Sequence, residues 1–479
     1  MRDGTSRLAA SYRGRRTQPP DEAEITLRHD DRPGGYVVAC RDMTLQLTRS
    51  QPGGGDPGRG PAAAPLATIR REWAAAILAA CALFAGGVAV ISANPPQRLW
   101  GMFAAGAYGA AAVAVAAWRR HGMGLAAAIS VGGALIAPLA WMAATGVAQP
   151  EVAVIIRSAA LFLHHGTPYE GTAAIAAAHG PYAYSPYQPA LAVFGVPQAL
   201  FGGGLLTDPR LWFGAVFVAV FGAALSVNSV PHAWRWTALV AASPVIAFPL
   251  STGGDDLPVL ALMCLGLALL GTRSRPVSAG LVLGLAAAMK ATAWPAVAVA
   301  FALIAARDGR RPAAWFAATA LGVAGLADGP VLARQPGSMV ANTVLFPLGL
   351  TKIKSPAASV LPGHLIAQAW GGGHWVAIAL VVIAGLGVAA SLIAWPPRDE
   401  RAAGWRLVAG LTLMIMFAPA SRFGYFAYPL GLAAWLLLAR AGCVIVATRV
   451  SAVSSVRSAL PRWGAGRAGE WAARSAGRR

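Results

Sequence analysis

The feature that most constrains this chain is a long series of apolar runs, many of them near the length of a membrane span, separated by short loops that contain arginine. A helix of about 20 apolar residues crosses the hydrocarbon core of a membrane. The composition agrees, because 56% of the residues are hydrophobic, only 12% are charged and the mean hydropathy is +0.55. These values exclude an ordinary water-soluble domain. The sequence therefore predicts an all-α polytopic membrane protein.

The net charge of +20 reflects orientation in the membrane rather than binding of nucleic acid. The arginines cluster at both ends of the chain and in short loops, as cytoplasmic anchors do. We therefore expect no nucleic-acid partner, a location in the cell membrane among its lipids, and both termini in the cytoplasm. Residues 1–72 and 446–479 are expected to be basic cytoplasmic tails, the first of them disordered. Residues 73–445 are expected to form the membrane domain.

Placing each arginine cluster in the cytoplasm predicts about twelve transmembrane helices and two large outer loops, at about residues 147–188 and 333–373. The stretch 190–206 breaks the alternation if it is counted as a span. This stretch follows Pro189, contains Pro197 and has three consecutive glycines, 202–204, near its end. We therefore expect it to be re-entrant or interfacial. We expect residues 237–250 to form a single span.

The cations on the outer side are unusual for this chain. Its three lysines, Lys290, Lys352 and Lys354, all map there, as does Arg422, although arginine is used almost everywhere else. Positive-inside anchoring does not explain these positions, so the residues are candidates for binding an anionic group. The alternative, that they are boundary residues whose charged ends reach the interface, stays open.

The first outer loop is predicted to begin with an amphipathic helix at 151–165 and to end in an aromatic stretch. Glu151 lies in the first turn of that helix, where a carboxylate is stabilised by the helix N-terminus, so it is either a helix-end acid or a catalytic one. Tyr182, Tyr184 and Tyr187 are either an interfacial aromatic belt or a stacking platform for a sugar.

Asp255 and Asp256 directly precede another apolar run. Asp256 either caps the helix that follows or orients a substrate. His164 and His165 are adjacent and therefore point to different helix faces, and no further ligand is nearby. We expect no metal and no cofactor.

Five short motifs follow one another between residues 149 and 438. They are Glu151 with Gly166 and Tyr169; Tyr184-Ser185-Pro186; Gly254-Asp255; the run 279–286 that leads to Lys290; and Arg422-Phe423-Gly424-Tyr425. In their order and their match to the topology they resemble the GT-C glycosyltransferases that use polyprenyl-phosphate sugars, and glycosyltransferase family 87 in particular.

The resemblance implies a GT-C-like fold and an enzyme that transfers a hexose, by default mannose, from a polyprenyl-phosphate sugar to an acceptor hydroxyl at the outer face. The acceptor would be a glycolipid or a cell-envelope polysaccharide, and the reaction would invert the anomeric carbon. Glu151 would be the general base. The donor phosphate would be bound by Lys290, Lys352, Lys354, His364 and Arg422. The substrates would be lined by Tyr169, Tyr182, Tyr184, Tyr187, Asp255, Asp256 and Trp294.

Two residues depart from the family pattern, Glu151 where aspartate is usual and Ala291 where proline often follows the lysine. Two other classes of function stay open: a transporter or lipid flippase, and a non-catalytic subunit of an envelope-assembly complex. A transporter would carry ionisable residues along a mid-membrane pathway. Here the acids gather at one face, which favours an enzyme.

Overall fold

The computed structural model describes residues 71–177, 180–271 and 274–440, together with the backbone of three strands nearer the N-terminus. The chain divides into two units, Met1–Gly58 and Arg59–Arg479. The three strands of the first unit form an antiparallel sheet in the order β1-β2-β3: Thr26–His29, Tyr36–Cys40 and Met43–Leu47.

This sheet differs from the disorder that we expected for residues 1–72. Its strands are rich in β-branched and aromatic residue types, which favour extended structure even in a basic, glycine-rich segment. The remainder of that segment, and the expected tail at 446–479, lie outside the described residues.

Every regular element described between residues 71 and 440 is helical, apart from one isolated bridge between Ala358 and Ser421. Six of these helices are long and apolar enough to cross a membrane: Arg71–Ile91, Pro95–Ala117, Gly122–Thr145, Pro209–Val227, Arg310–Arg334 and Gly373–Ala394. Four apolar helices are shorter: Pro189–Phe201, Leu257–Ala268, Pro276–Met289 and Ala291–Arg307. These helices define an all-α membrane protein.

The other helical elements are mostly short. They are Pro150–His165, Thr172–Ala177, Pro181–Ala183, Leu205–Thr207, Ala233–Ala241, Pro244–Thr252, Pro336–Val340, Ala341–Leu345, Pro362–Ala369, Glu400–Phe417, Phe423–Phe426 and 427–440.

The expected count of about twelve spans is not confirmed. One reason is that the stretch 237–250 is two helices, Ala233–Ala241 and Pro244–Thr252, with Ser243 at the start of the second. Proline has no backbone N–H and is favoured at the first helical position, so Pro244 starts a new helix rather than continuing the first. The stretch 190–206 consists of short helical pieces: the 3-10 helix Pro189–Gly195, which runs on into the α-helix Val196–Phe201, and the separate 3-10 helix Leu205–Thr207.

The core of the helical unit surrounds one short helix, Leu257–Ala268, which we call the central helix. All but one of its residues are buried, and it packs against Pro209–Val227 and Pro276–Met289. A helix that is apolar on every side is stable only where other helices cover it. The central helix therefore carries Asp255 and Asp256, which directly precede it, to the middle of the bundle.

Two glycines set the distance between the helices Pro276–Met289 and Arg310–Arg334. A Cβ added at Gly280 would lie 2.6 Å from the carbonyl oxygen of Phe316, and one at Gly284 would lie 2.5 Å from that of Ala320. Small residues four apart allow the backbones of membrane helices to approach closely. This contact fixes the helix that ends at Lys290.

A buried ion pair joins three segments near residue 208. The carboxylate of Asp208 accepts hydrogen bonds from the Arg210 guanidinium at 2.7 and 2.9 Å and from the Arg210 backbone N–H at 2.9 Å. The same guanidinium donates to the carbonyl oxygens of Val147 at 2.8 Å and Ser251 at 2.9 Å. Asp208 thereby starts the helix Pro209–Val227, and Arg210 holds that helix against the ends of two others.

Candidate active site

Glu151 is positioned by local signals at both ends of its helix. The helix Pro150–His165 begins with proline in its first turn and ends at Gly166, which adopts a left-handed φ of +69°. Proline at the start and glycine after the end are the usual signals of helix boundaries. The backbone N–H of Gln149 bonds the carbonyl of Thr252 at 2.9 Å. This bond fixes the start of the helix beside the turn that carries Asp255 and Asp256.

The carboxylate of Glu151 does not cap its helix. Its Oε1 accepts a hydrogen bond from the Arg422 guanidinium, which lies 271 residues further along the chain. Its second oxygen, Oε2, is buried and has no hydrogen-bond partner within the described part of the chain. Both side chains keep some exposure, 15% for Glu151 and 28% for Arg422. We call this contact the Glu151–Arg422 pair.

Arg422 is held from the second expected outer loop. Ala358 and Ser421 form a parallel bridge, and the Ser359 N–H bonds the carbonyl of Ser421 at 3.0 Å. The Ser359 hydroxyl in turn accepts the Phe423 N–H at 3.1 Å. Two residues of that loop therefore fix the backbone on both sides of Arg422.

A second cluster, the lysine triad, consists of Lys290, Asp255 and Asp256. The Lys290 Nζ lies 2.6 Å from Asp255 Oδ2 and 2.5 Å from Asp256 Oδ1. Asp256 stands at the N-cap position of the central helix, as one alternative predicted, but its carboxylate makes no capping bond. Gly254, with φ of +84°, makes the turn that presents both aspartates. Lys290 ends the helix Pro276–Met289 in an extended conformation, which directs the chain away from the helix axis.

Burial controls the protonation of the lysine triad. Burial opposes a charge on Lys290, but the carboxylates of Asp255 and Asp256 outweigh this effect, so the pKa of Lys290 lies well above its ordinary value. Burial raises the pKa of Asp256, and the charge on Lys290 only partly offsets the rise because Asp255 competes for the same ammonium. The Lys290 ammonium is therefore the shared counter-charge of the two buried carboxylates, Asp255 and Asp256.

Tyr187 contacts the lysine triad and interacts electrostatically with Glu151. Its ring lies 5.0 Å from the Lys290 Nζ, a cation–π contact, and its carbonyl accepts the Tyr169 hydroxyl at 2.7 Å. The next backbone N–H, of Gln188, bonds the carbonyl of Met289 at 3.0 Å. Burial raises the pKa of Tyr187, and the charges of Asp255 and Glu151 add to the rise. Tyr187 therefore lies in the electrostatic field of both the Glu151–Arg422 pair and the lysine triad.

The other two tyrosines of the aromatic stretch differ in exposure. Tyr184 is buried and stacks on Phe346 at 4.3 Å between ring centroids, so Phe346 covers one of its faces. Tyr182 is 39% exposed, and its carbonyl accepts a bond from Arg157 at 2.5 Å. Arg157 also lies 3.7 Å from Glu170.

Four predicted residues make no contact with either cluster in the part of the chain that the structure describes. Lys352 and Lys354 are exposed and form no ion pair there. His364 has both ring nitrogens engaged, at 3.1 Å from the Pro419 carbonyl and at 2.9 Å from the Gln368 amide nitrogen. Trp294 is partly buried and packs against the core.

Sequence reasoning missed Tyr428, a buried residue beside the lysine triad. Its hydroxyl accepts a hydrogen bond from the Thr292 hydroxyl at 3.1 Å and interacts electrostatically with Asp256 and Lys290. Tyr425 is partly buried and interacts electrostatically with Lys290 and Asp256. The spacing from Tyr425 to Tyr428 is that of one helical turn, and this spacing could have been noticed in the sequence.

Within residues 71–177, 180–271 and 274–440, no three His, Cys, Asp or Glu side chains form a group that could hold a metal ion.

The six long apolar helices indicate a membrane protein, and the Glu151–Arg422 pair and the lysine triad each join distant segments of it. The family model of glycosyltransferase family 87 matches residues 184–419. This match confirms the resemblance seen in the motifs. The matched segment contains the lysine triad, begins after Glu151 and ends before Arg422. No curated protein and no solved structure matches the chain.

Proposed function

We propose that this protein transfers a hexose, by default mannose, from a polyprenyl-phosphate sugar to a hydroxyl of a glycolipid or cell-envelope polysaccharide. The reaction takes place at the outer face of the cell membrane, and both termini are cytoplasmic. The observation that carries the proposal is the contact between Glu151 and Arg422 beside the lysine triad. The contact places the Glu151 carboxylate, which has one oxygen without a partner, next to a cation that suits a phosphate. The family match adds that the chain is similar to glycosyltransferases.

Glu151 is the general base. Its unpartnered Oε2 accepts the proton of the acceptor hydroxyl while the hydroxyl oxygen attacks the anomeric carbon from the side opposite the phosphate. The bond between that carbon and the phosphate oxygen breaks, and its electron pair leaves with the polyprenyl phosphate. The anomeric configuration is inverted. Because phosphate is a good leaving group, one carboxylate suffices, and such a base contributes roughly 10²- to 10⁴-fold.

Arg422 and Lys290 stabilise the charge that develops on the leaving phosphate. Arg422 offers a planar guanidinium that suits a phosphate, and Lys290 keeps one N–H beyond the two bonded to carboxylates. Lys352, Lys354 and His364, which belong to the outer loop bonded to residues 421 and 423, are expected to approach the donor when it binds. We propose no metal ion, because these cations supply the electrostatic stabilisation that dominates such reactions.

The broken segment after Tyr187 provides the groove for the polyprenyl chain. Helix breaks at membrane depth are tolerated where they line a cavity, and exposed apolar side chains such as Leu200 and Phe201 suit a lipid tail. The exposed ring of Tyr182 and the partly buried Trp294 are candidates to stack on the sugar. Tyr169, Tyr184, Tyr187, Asp255 and Asp256 shape the wall beneath it.

The experiment measures transfer of radiolabelled mannose from polyprenyl-phosphate mannose into lipid and polysaccharide fractions of membranes from cells that express the protein. Wild type is compared with Glu151→Gln, which keeps the shape of the side chain and removes the base. Glu170→Gln is the matched control, because Glu170 is also an arginine-paired glutamate of the first outer loop but pairs with Arg157.

Loss of transfer in Glu151→Gln alone supports both the reaction and the base. Full transfer by Glu151→Gln would refute the base. If the wild type transfers no mannose but does transfer glucose or arabinose from the corresponding donors, the reaction stands and the sugar changes. If it binds polyprenyl phosphate and never turns over any donor, it is a non-catalytic subunit.

A further inference from the structure

Charge balance makes the site unfavourable for an anionic donor as it stands. The Glu151–Arg422 pair and the lysine triad together hold two cations and three carboxylates, which leaves a net charge of −1 when all are ionised. A donor phosphate adds a further negative charge. Charges interact more strongly in a partly buried site than in water. To bind the phosphate there, one of the two cations must leave its carboxylate partner and pair with the phosphate instead.

Arg422 is the cation that can make this exchange. The Lys290 side chain is 9% exposed and is held between two carboxylates, whereas the Arg422 side chain is 28% exposed and pairs with one. Glu151 is the only hydrogen-bond acceptor of the Arg422 side chain among the described residues. A guanidinium has five N–H donors and binds phosphate through two parallel bonds. Arg422 therefore has both the access and the spare donors to turn to a phosphate.

We infer that Arg422 exchanges partners during the reaction: it binds Glu151 in the ligand-free protein and the donor phosphate once the donor arrives, which frees Glu151 for the acceptor. This inference rests on the proposed function and adds an order of binding to it. While Arg422 occupies Oε1, only Oε2 of Glu151 is without a partner. Binding of the donor moves the guanidinium to the phosphate, so both carboxylate oxygens of Glu151 are free for the acceptor only when there is a sugar to transfer.

The test is equilibrium binding of a sugar-free polyprenyl phosphate to the purified full-length chain in detergent. Four proteins are compared: wild type, Glu151→Gln, Arg422→Gln and the double variant. Glu151→Gln is expected to bind about fivefold more tightly than wild type, the upper range for a partly exposed ion pair, because the phosphate no longer competes with a carboxylate. Arg422→Gln is expected to bind more weakly. The gain from Glu151→Gln should vanish in the double variant.

Glu170→Gln is again the matched control and should bind as wild type does. Tighter binding in Glu151→Gln that depends on Arg422 supports the exchange. Equal affinity in wild type and Glu151→Gln overturns it and leaves the proposed function intact, because a base that acts alone predicts no change in affinity for the phosphate. If neither protein binds polyprenyl phosphate, the proposed donor fails and the exchange fails with it. The comparison of these two proteins needs no Arg422 variant, so it stands if Arg422→Gln does not fold.

Discussion

Replacing Lys290 by methionine tests whether the lysine triad is a structural unit. The substitution keeps a long side chain and removes the cation, and it leaves the carboxylates of Asp255 and Asp256 only 11% and 12% exposed. Removing one partner of a buried ion pair typically costs about 3–5 kcal/mol, because the remaining charge is buried without compensation. Since two carboxylates lose the same cation, we expect a cost at the upper end of that range.

The assay is thermal unfolding of the purified protein in detergent, followed by tryptophan fluorescence at one fixed scan rate because membrane proteins often unfold irreversibly. Lys290→Met is expected to lower the unfolding midpoint by several degrees. Lys352→Met is the control, since an exposed lysine without a partner contributes within about 0.5 kcal/mol. Adding Asp255→Asn and Asp256→Asn to Lys290→Met should recover most of the loss, because no unpaired charge then remains.

An unfolding midpoint for Lys290→Met equal to that of wild type would refute this reasoning. It would mean that Lys290 does not compensate the aspartates in the folded protein and that it is free to bind a substrate. A loss that the aspartate substitutions fail to recover would show that packing of the lysine, rather than its charge, stabilises the bundle.

Three further results follow from the contacts described above. Gly284→Ala should destabilise the protein by about 1–3 kcal/mol through overpacking, whereas Gly325→Ala, whose added Cβ meets nothing within 4 Å, should not; thermal unfolding compares them. Asp208→Asn should cost about 3–5 kcal/mol in the same assay, because the fully buried Arg210 loses its counter-charge. The pKa of Lys290 is raised above 10.5, so its stabilisation is fully present below that value and is lost as the pH rises through the pKa of the folded protein. The difference in midpoint between wild type and Lys290→Met should therefore stay constant from about pH 7 to pH 9.

Local features of the fold could be predicted where proline and glycine mark boundaries. The helix expected at 151–165 is Pro150–His165, because Pro150 and Gly166 define its ends in the sequence itself. The prolines and glycines of the stretch 190–206 mark its short helical pieces for the same reason. The helix start at Pro244 carried an equally clear signal, Ser followed by Pro, but the apolar run around it outweighed that signal in our interpretation.

The pairing of side chains could not be predicted, because it depends on contacts between distant segments. Asp256 illustrates the difference: its position at the start of a helix was evident, yet its carboxylate bonds Lys290, 34 residues away. Hydropathy assigns Glu151 and Arg422 to the same side of the membrane but not to each other. The span count of about twelve is not confirmed, and the central helix shows one reason: it is covered by protein and is shorter than a full membrane span.

The 271 residues between Glu151 and Arg422 have a consequence for biosynthesis. At a translation rate of 5–20 residues per second, roughly 14 to 54 s pass between the synthesis of the two side chains. During that interval Glu151 has already emerged from the ribosome while its arginine does not yet exist. The Glu151–Arg422 pair can therefore form only after the chain has been synthesised and inserted as far as residue 422. A chain that stalls before residue 422 carries the acid, the triad and the aromatic stretch but lacks a finished site.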